Sequence, residues 1–234
     1  KFAHHRYRDF PMIYTPYFWN FFIRTAAKSV QPPRERAHRD RIFVTADSPE
    51  AMEEPLWITF FPNCHSEEQS HVLDSGYANV QFEKFYAAHI RKLLLYQGHS
   101  RYLAKANYNI VRIRYLLHLF PNAKFIVPSR SPISQTLSLI KQHKLFCQGQ
   151  EQNPRALTHM QRVGHFEFGL DRKIINVGDY GVVQTIRRYW SEGREIEAYA
   201  TIWNSVYGYV YDTISADENL RSSVHFVRYE DLCK

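Results

Sequence analysis

The chain has 234 residues, of which 44% are hydrophobic and 15% aromatic; that is enough apolar material for a packed core and excludes wholesale disorder. Lys+Arg 30 against Asp+Glu 23 gives a net charge of +7, a balance that suits an anionic partner (phosphate, nucleotide, nucleic acid or acidic polymer) without choosing among them. The longest apolar runs fall far short of the ~18 residues a membrane span needs, so no transmembrane helix is expected.

Three cysteines (Cys64, Cys147, Cys233) are odd in number and widely spaced, which reads as reduced thiols rather than a disulfide framework. The histidines are scattered without metal-ligand spacing, and no metal is expected. We read residues 1–234 as a single domain. The chain opens without Met or a signal pattern and closes directly after a strand pattern, so we read it as a segment of a longer protein.

In chain order, 14–28 is aromatic-rich and predicted helical after Pro16. Residues 31–40 read as a polar, Pro-broken loop, and 41–45 (RIFVT) as a short strand. Ser48-Pro49-Glu50 has the chemistry of a helix start, with Pro55 as a kink or stop. Residues 79–97 carry helical spacing through Phe82, Phe85, Tyr86, Ile90, Leu93 and Leu94, closed by Gly98. Tyr102-Leu103-Ala104 reads as a strand ending at Lys105. A helix follows, with Ile110, Ile113, Leu117 and Phe120 on one face, broken by Pro121-Asn122. Residues 123–127 (AKFIV) read as a buried strand, 128–132 as a turn, and the following segment as a second amphipathic helix. Strand–helix–strand–helix with a long crossover predicts an α/β fold, a central parallel sheet flanked by helices. Residues 148–186 read as an insertion, lid or substrate loop. Residues 187–217 read as helix, with Trp190 and Trp203 in the core, and 225–229 (HFVRY) as a final strand.

The sharpest chemical signal is Arg130 at the carboxyl end of AKFIV, flanked by Ser129 and Ser131. Ligands of open parallel sheets bind at the carboxyl ends of strands, and a helix opening there favours an anion. Arg130 adds a planar fork for phosphate, and Ser138 can add a hydroxyl. Lys105, ending the neighbouring strand, is expected on the same edge, and two converging cations suit a multiply anionic ligand. The plainer alternative is an Arg that caps a strand and one exposed Lys among many. Glu50, Glu53 and Glu54 read as a helix first turn and a solvated face, and His4 and His5 as polar surface.

The stretch YLAKANYNIVRIRYLLHLFPNAKFIVPSRSPISQTLSL, followed later by VHFVRYEDL, resembles the sulfotransferases that use 3′-phosphoadenosine 5′-phosphosulfate (PAPS), in their bacterial rather than small-molecule cytosolic branch. A strand ending in Lys, a Phe-Pro-x-Ala-Lys turn, an Arg-x-Pro with Ser eight residues after the Arg, and a Tyr-Glu-Asp-Leu all occur in the family's order. The resemblance implies the P-loop-NTPase-like sulfotransferase fold, incomplete here, and transfer of a sulfuryl group to a hydroxyl or amine of an acceptor. It implies that Arg130 and Ser138 hold the 3′-phosphate, that Tyr229 lies near the adenine, and that Lys105 stabilises the transferring group. The product would be 3′-phosphoadenosine 5′-phosphate (PAP).

Two departures bear on catalysis. Asn107 stands where many members carry a His base, and Asn takes no proton at neutral pH; Glu53, Glu54 and His5 are the alternative bases. No Gly-Thr-rich phosphosulfate loop is present, and the segment beyond Tyr-Glu-Asp-Leu is missing, which fits a fragment or a non-catalytic relative that binds a nucleotide or glycan. A basic, aromatic-rich chain suits a carbohydrate acceptor. A nucleotide kinase would need a Walker Lys and magnesium ligands, which are not found, and a nucleic-acid module would need a recognition motif, also not found. A cytoplasmic location is expected, with a Golgi-type enzyme left open.

Overall fold

The computed structural model describes residues 1–25 and 32–232. The chain forms two compact units, Lys1–Pro62 with Asn79–Asn107, and Asn63–Ala78 with Tyr108–Lys234.

The first unit holds helix α1 (Pro16–Thr25), a hairpin of β1 (Arg34–Glu35) and β2 (Phe43–Val44), and helices α2 (Glu54–Phe60) and α3 (Val80–Gln97). The end of the helix predicted for 14–28 lies outside the described residues. Both ends of α3 follow from local chemistry: the Asn79 side chain accepts the Phe82 N–H, Glu83 accepts the Asn79 N–H, and Gly98 closes the helix at φ 67. Trp57 of α2 packs on Phe82 of α3 at 4.4 Å between ring centroids, and Phe82 stacks on Tyr86. The helix expected from Ser48 begins instead at Glu54, and Pro55, expected as a kink or stop, lies in its first turn. The cause is pairing. After a turn at 46–47 the chain pairs with 5–8: Pro49 bridges Arg6, the Tyr7 N–H donates to the Ser48 carbonyl and the Glu50 N–H to the His5 carbonyl. Two Pro start signals compete, and only the second segment is left free to coil. The loop expected at 31–40 contains β1, which the RIFVT strand needs as a partner.

The second unit is a small parallel sheet flanked by helices, the α/β arrangement expected. After a short 3-10 turn come α4 (Ile113–Leu119), β3 (Phe125–Ser129), α5 (Pro132–Gln152), α6 (Pro154–Val163), α7 (Tyr180–Ser191), α8 (Glu195–Ser215), α9 (Glu218–Ser223), β4 (Val224–Arg228) and α10 (Tyr229–Leu232). β3 and β4 pair in parallel, Phe125 opposite Val224 through Ser129 opposite Arg228. One core joins them to the helices through Ile113, Val127, Val210, Ile214, Leu220 and Val224. A second joins α7 and α8 through Val183, Ile186 and Ala198. β3 lies two residues later than AKFIV, because Ala123 and Lys124 finish the turn opened by Pro121.

The stretch 148–186 is more ordered than its composition suggests. It completes α5, contains α6 and opens α7. Its remaining loop is anchored: Arg172 pairs with both oxygens of Glu195 at 2.6 and 2.8 Å and lies 4.0 Å over the Trp190 ring. Glu67 accepts from Arg187 at 2.9 Å. Trp190 is therefore a half-buried platform for a cation, and Trp203 is also only half-buried. Among the described residues Cys64 and Cys147 form no disulfide, and Cys233 lies outside the described residues.

Candidate functional site

The parallel register decides what meets at the sheet edge. Ser129 and Arg228 are the last paired residues, so Arg130 and Tyr229 leave the two strands side by side. The Arg130 guanidinium lies 4.8 Å from the centre of the Tyr229 ring, a cation–π contact that helps hold the fork in place. The next residue on each strand makes a second link: the Ser131 N–H donates to Glu230 Oε1 at 2.8 Å. This bond, with the nearby Arg228 and Arg130 charges, holds the Glu230 carboxyl below its usual range. Glu230 thus binds the N–H of the residue that caps α5, at the helix start where an anion was expected. Ser131 itself makes no side-chain cap. Ser138 lies seven residues beyond Ser131 on the same helix face, ~10 Å along the axis. The structure brings together Arg130, Ser131, Tyr229 and Glu230, with Ser138 farther along α5. In sequence YEDL reads as an amphipathic strand end with acids capping a following helix; Glu230 and Asp231 do lie in the first turn of α10, and only the link to Ser131 comes from the parallel register.

Lys105 belongs to the first unit and is exposed. The strand expected at 102–104 is a single parallel bridge from Tyr102 to Ala3, extended by the Leu103 N–H donating to the Ala3 carbonyl at 2.9 Å. Among the described residues it is not a neighbour of β3, whose sheet is completed by β4. Three apolar residues are too few to compete for that place, and Tyr102 is drawn inward by a buried acid.

That acid is Glu53. Its Oε1 accepts from Tyr86 Oη at 2.6 Å and Tyr102 Oη at 2.7 Å, and its Oε2 is buried without a hydrogen-bond partner. Beside it, His5 Nε2 lies 3.0 Å from His89 Nε2, and His5 faces Asp9, which accepts from Asn20 at 3.0 Å. Glu53, Glu54 and His5 are all buried, not the solvated face and polar surface expected. Partners 33 to 84 residues distant explain the difference. Burial drives Tyr102 well above its ordinary range, and the Glu53 charge adds to this. Burial also raises Asp9, but the His5 ring 3.7 Å away and the bonds from Asn20 and the Arg6 N–H outweigh it and hold the carboxyl below its usual value. Burial, the His5 ring and Lys92 push His89 down to about 3.

Acid sensitivity follows from these directions. Unfolded His89 takes up a proton near pH 6.5, whereas the folded protein withholds it until about 3. Stability is therefore complete above pH 6.5 and falls on acidification, by about 1.4 kcal/mol per pH unit per histidine. His71, pushed down to about 4 mainly by burial, acts in the same direction in the second unit. Melting temperature is expected to drop steadily from pH 6.5 to 4, and His89→Gln to flatten the slope. An unchanged slope in both His89→Gln and His71→Gln would contradict this assignment.

Residues 10–170 match the model of a family described as the sulfotransferase family. No curated protein and no solved structure matches the chain.

Proposed function

The chain belongs to the sulfotransferase family, and from that premise we propose that it moves a sulfuryl group from PAPS to a hydroxyl or amine of an acceptor, with a carbohydrate as the acceptor class its composition suits. The observation that carries the reading is the juxtaposition of Arg130 and Tyr229 at the carboxyl ends of paired parallel strands. A guanidinium held against a half-exposed aromatic ring fits an adenine nucleotide bearing a phosphate. The ring offers a stacking surface, and the fork offers bidentate donors.

When bound, the nucleotide supplies the sulfuryl group that the acceptor receives. Arg130 and the Ser138 hydroxyl hold the 3′-phosphate, and Tyr229 borders the base. Glu230 keeps the Ser131 N–H at the N-cap engaged and Pro132 has no N–H, so the side chains of Arg130 and Ser138 carry the anion. Lys105 neutralises charge on the sulfuryl oxygens as they leave their phosphate, a contribution that grows toward the transition state. The acceptor gives up a proton, and Asn107 cannot take it. Glu53 and His5 are the nearest thing to a base in the first unit's chemistry, but both are buried, so they act on an acceptor only if that core opens.

The test is transfer of label from 35S-PAPS to a panel of glycans and hydroxylated small molecules. Label should move without added magnesium and should move ~10²–10³-fold more slowly in Lys105→Ala. A strict magnesium requirement with phosphate rather than sulfur transferred would favour a nucleotide kinase instead. Binding of PAP with no transfer to any acceptor would favour the non-catalytic relative.

A further inference from the structure

Helix α1 is built with its polarity reversed. It buries Pro16 and Asn20, and the Asn20 amide donates to Asp9 Oδ1 at 3.0 Å and to the Pro16 carbonyl at 2.8 Å. Trp19 also turns inward, its indole N–H donating to the Arg8 carbonyl at 2.6 Å. The opposite face carries Tyr17, Phe18, Phe21 and Phe22, at spacings that fall on one side of a helix. Phe18, Phe21 and Phe22 are 64%, 58% and 62% exposed. A lone exposed Phe needs no explanation, but a contiguous aromatic face marks an interaction surface.

The hairpin of the same unit repeats the combination. Ile42 and Phe43 are exposed beside Arg39 and Arg41, which hold left-handed φ values of 49 and 64. Bulky side chains at positive φ are uncommon and cluster where a segment has a task. Charge is concentrated here too. Residues 1–45 contain nine Lys and Arg against three Asp and Glu, +6 of the chain's +7.

An aromatic helix face in a strongly basic segment is the chemistry of binding at an anionic lipid interface. Phe favours lipid over sugar, because it has no polar tip for the hydroxyls of a glycan. The ten-residue helix is ~15 Å long, so it lies in the interface plane. No helix among the described residues is long and apolar enough to cross a membrane. We propose that the aromatic face of α1 and the basic hairpin tip dock this chain on the surface of an anionic lipid bilayer. The proposal stands apart from the sulfotransferase reading, since it needs neither nucleotide nor activity.

Vesicle flotation tests it, with phosphatidylcholine alone and with added phosphatidylglycerol. The protein should float with the anionic vesicles, ~10-fold less with the neutral ones, and less as salt rises. The triple variant Phe18→Ser/Phe21→Ser/Phe22→Ser should lose ~10-fold or more. Arg39→Asn/Arg41→Asn, where Asn tolerates the left-handed backbone, should lose about tenfold and flatten the salt dependence. Equal flotation with both vesicle types, or a triple variant that floats like its parent, overturns the proposal. A dimer in sedimentation equilibrium that the triple variant dissolves, without vesicle binding, also overturns it and assigns the face to a second copy of the chain.

Discussion

Glu53→Ala is expected to destabilise the protein by about 2–4 kcal/mol, because it removes the buried acceptor that two tyrosine hydroxyls share. Tyr86 and Tyr102 both donate to the same oxygen, Glu53 Oε1. Truncation also opens a cavity, because the Glu53 side chain is itself buried. Glu53→Gln keeps the accepting oxygen and should lose less than half as much. Urea denaturation reads both values. An equal loss in the Ala and Gln variants would mean that packing, not the shared acceptor, holds the site. A neutral Glu53→Ala would remove the cluster from the account altogether.

Lys105→Ala is expected to lower kcat by ~10²–10³ while changing nucleotide affinity little, the signature of a charge that acts mainly in the transition state. The backbone around it is fixed independently of its side chain, by the Ala3–Tyr102 bridge and the Tyr102–Glu53 bond. The exposed side chain can therefore be cut back without loss of fold, and a melting curve checks this. Single-turnover and steady-state rates with 35S-PAPS measure the effect. A large rise in KM with kcat unchanged would make Lys105 a binding residue instead.

Most of what positions the sheet edge at Arg130 was legible in sequence. Helix α3 carries its caps as Asn79 and Gly98, and the β3–turn–α5 order follows from a short apolar run, two prolines and an amphipathic stretch. These are local features with local causes. The misread elements depend on distant partners. Ser48-Pro49-Glu50 has the chemistry of a helix start, yet pairing with residues 5–8 keeps it extended. Glu53 and His5 look like surface because acids and histidines usually are, and nothing nearby reveals Tyr86, His89 and Tyr102. The short run at 102–104 pairs with Ala3, about a hundred residues away, where local pattern pointed to the next strand. Glu230 reads in sequence as an acid capping the helix after its own strand, and only the parallel register brings it to Ser131.

The measurement that bears most directly on the central claim is calorimetric titration of PAP into the protein and into Arg130→Ala. One nucleotide should bind per chain, and the variant, with the guanidinium lost from above Tyr229, should bind ~100-fold more weakly. Equal affinities in the two proteins, or no binding by folded protein, would contradict the assignment of this edge to the 3′-phosphate.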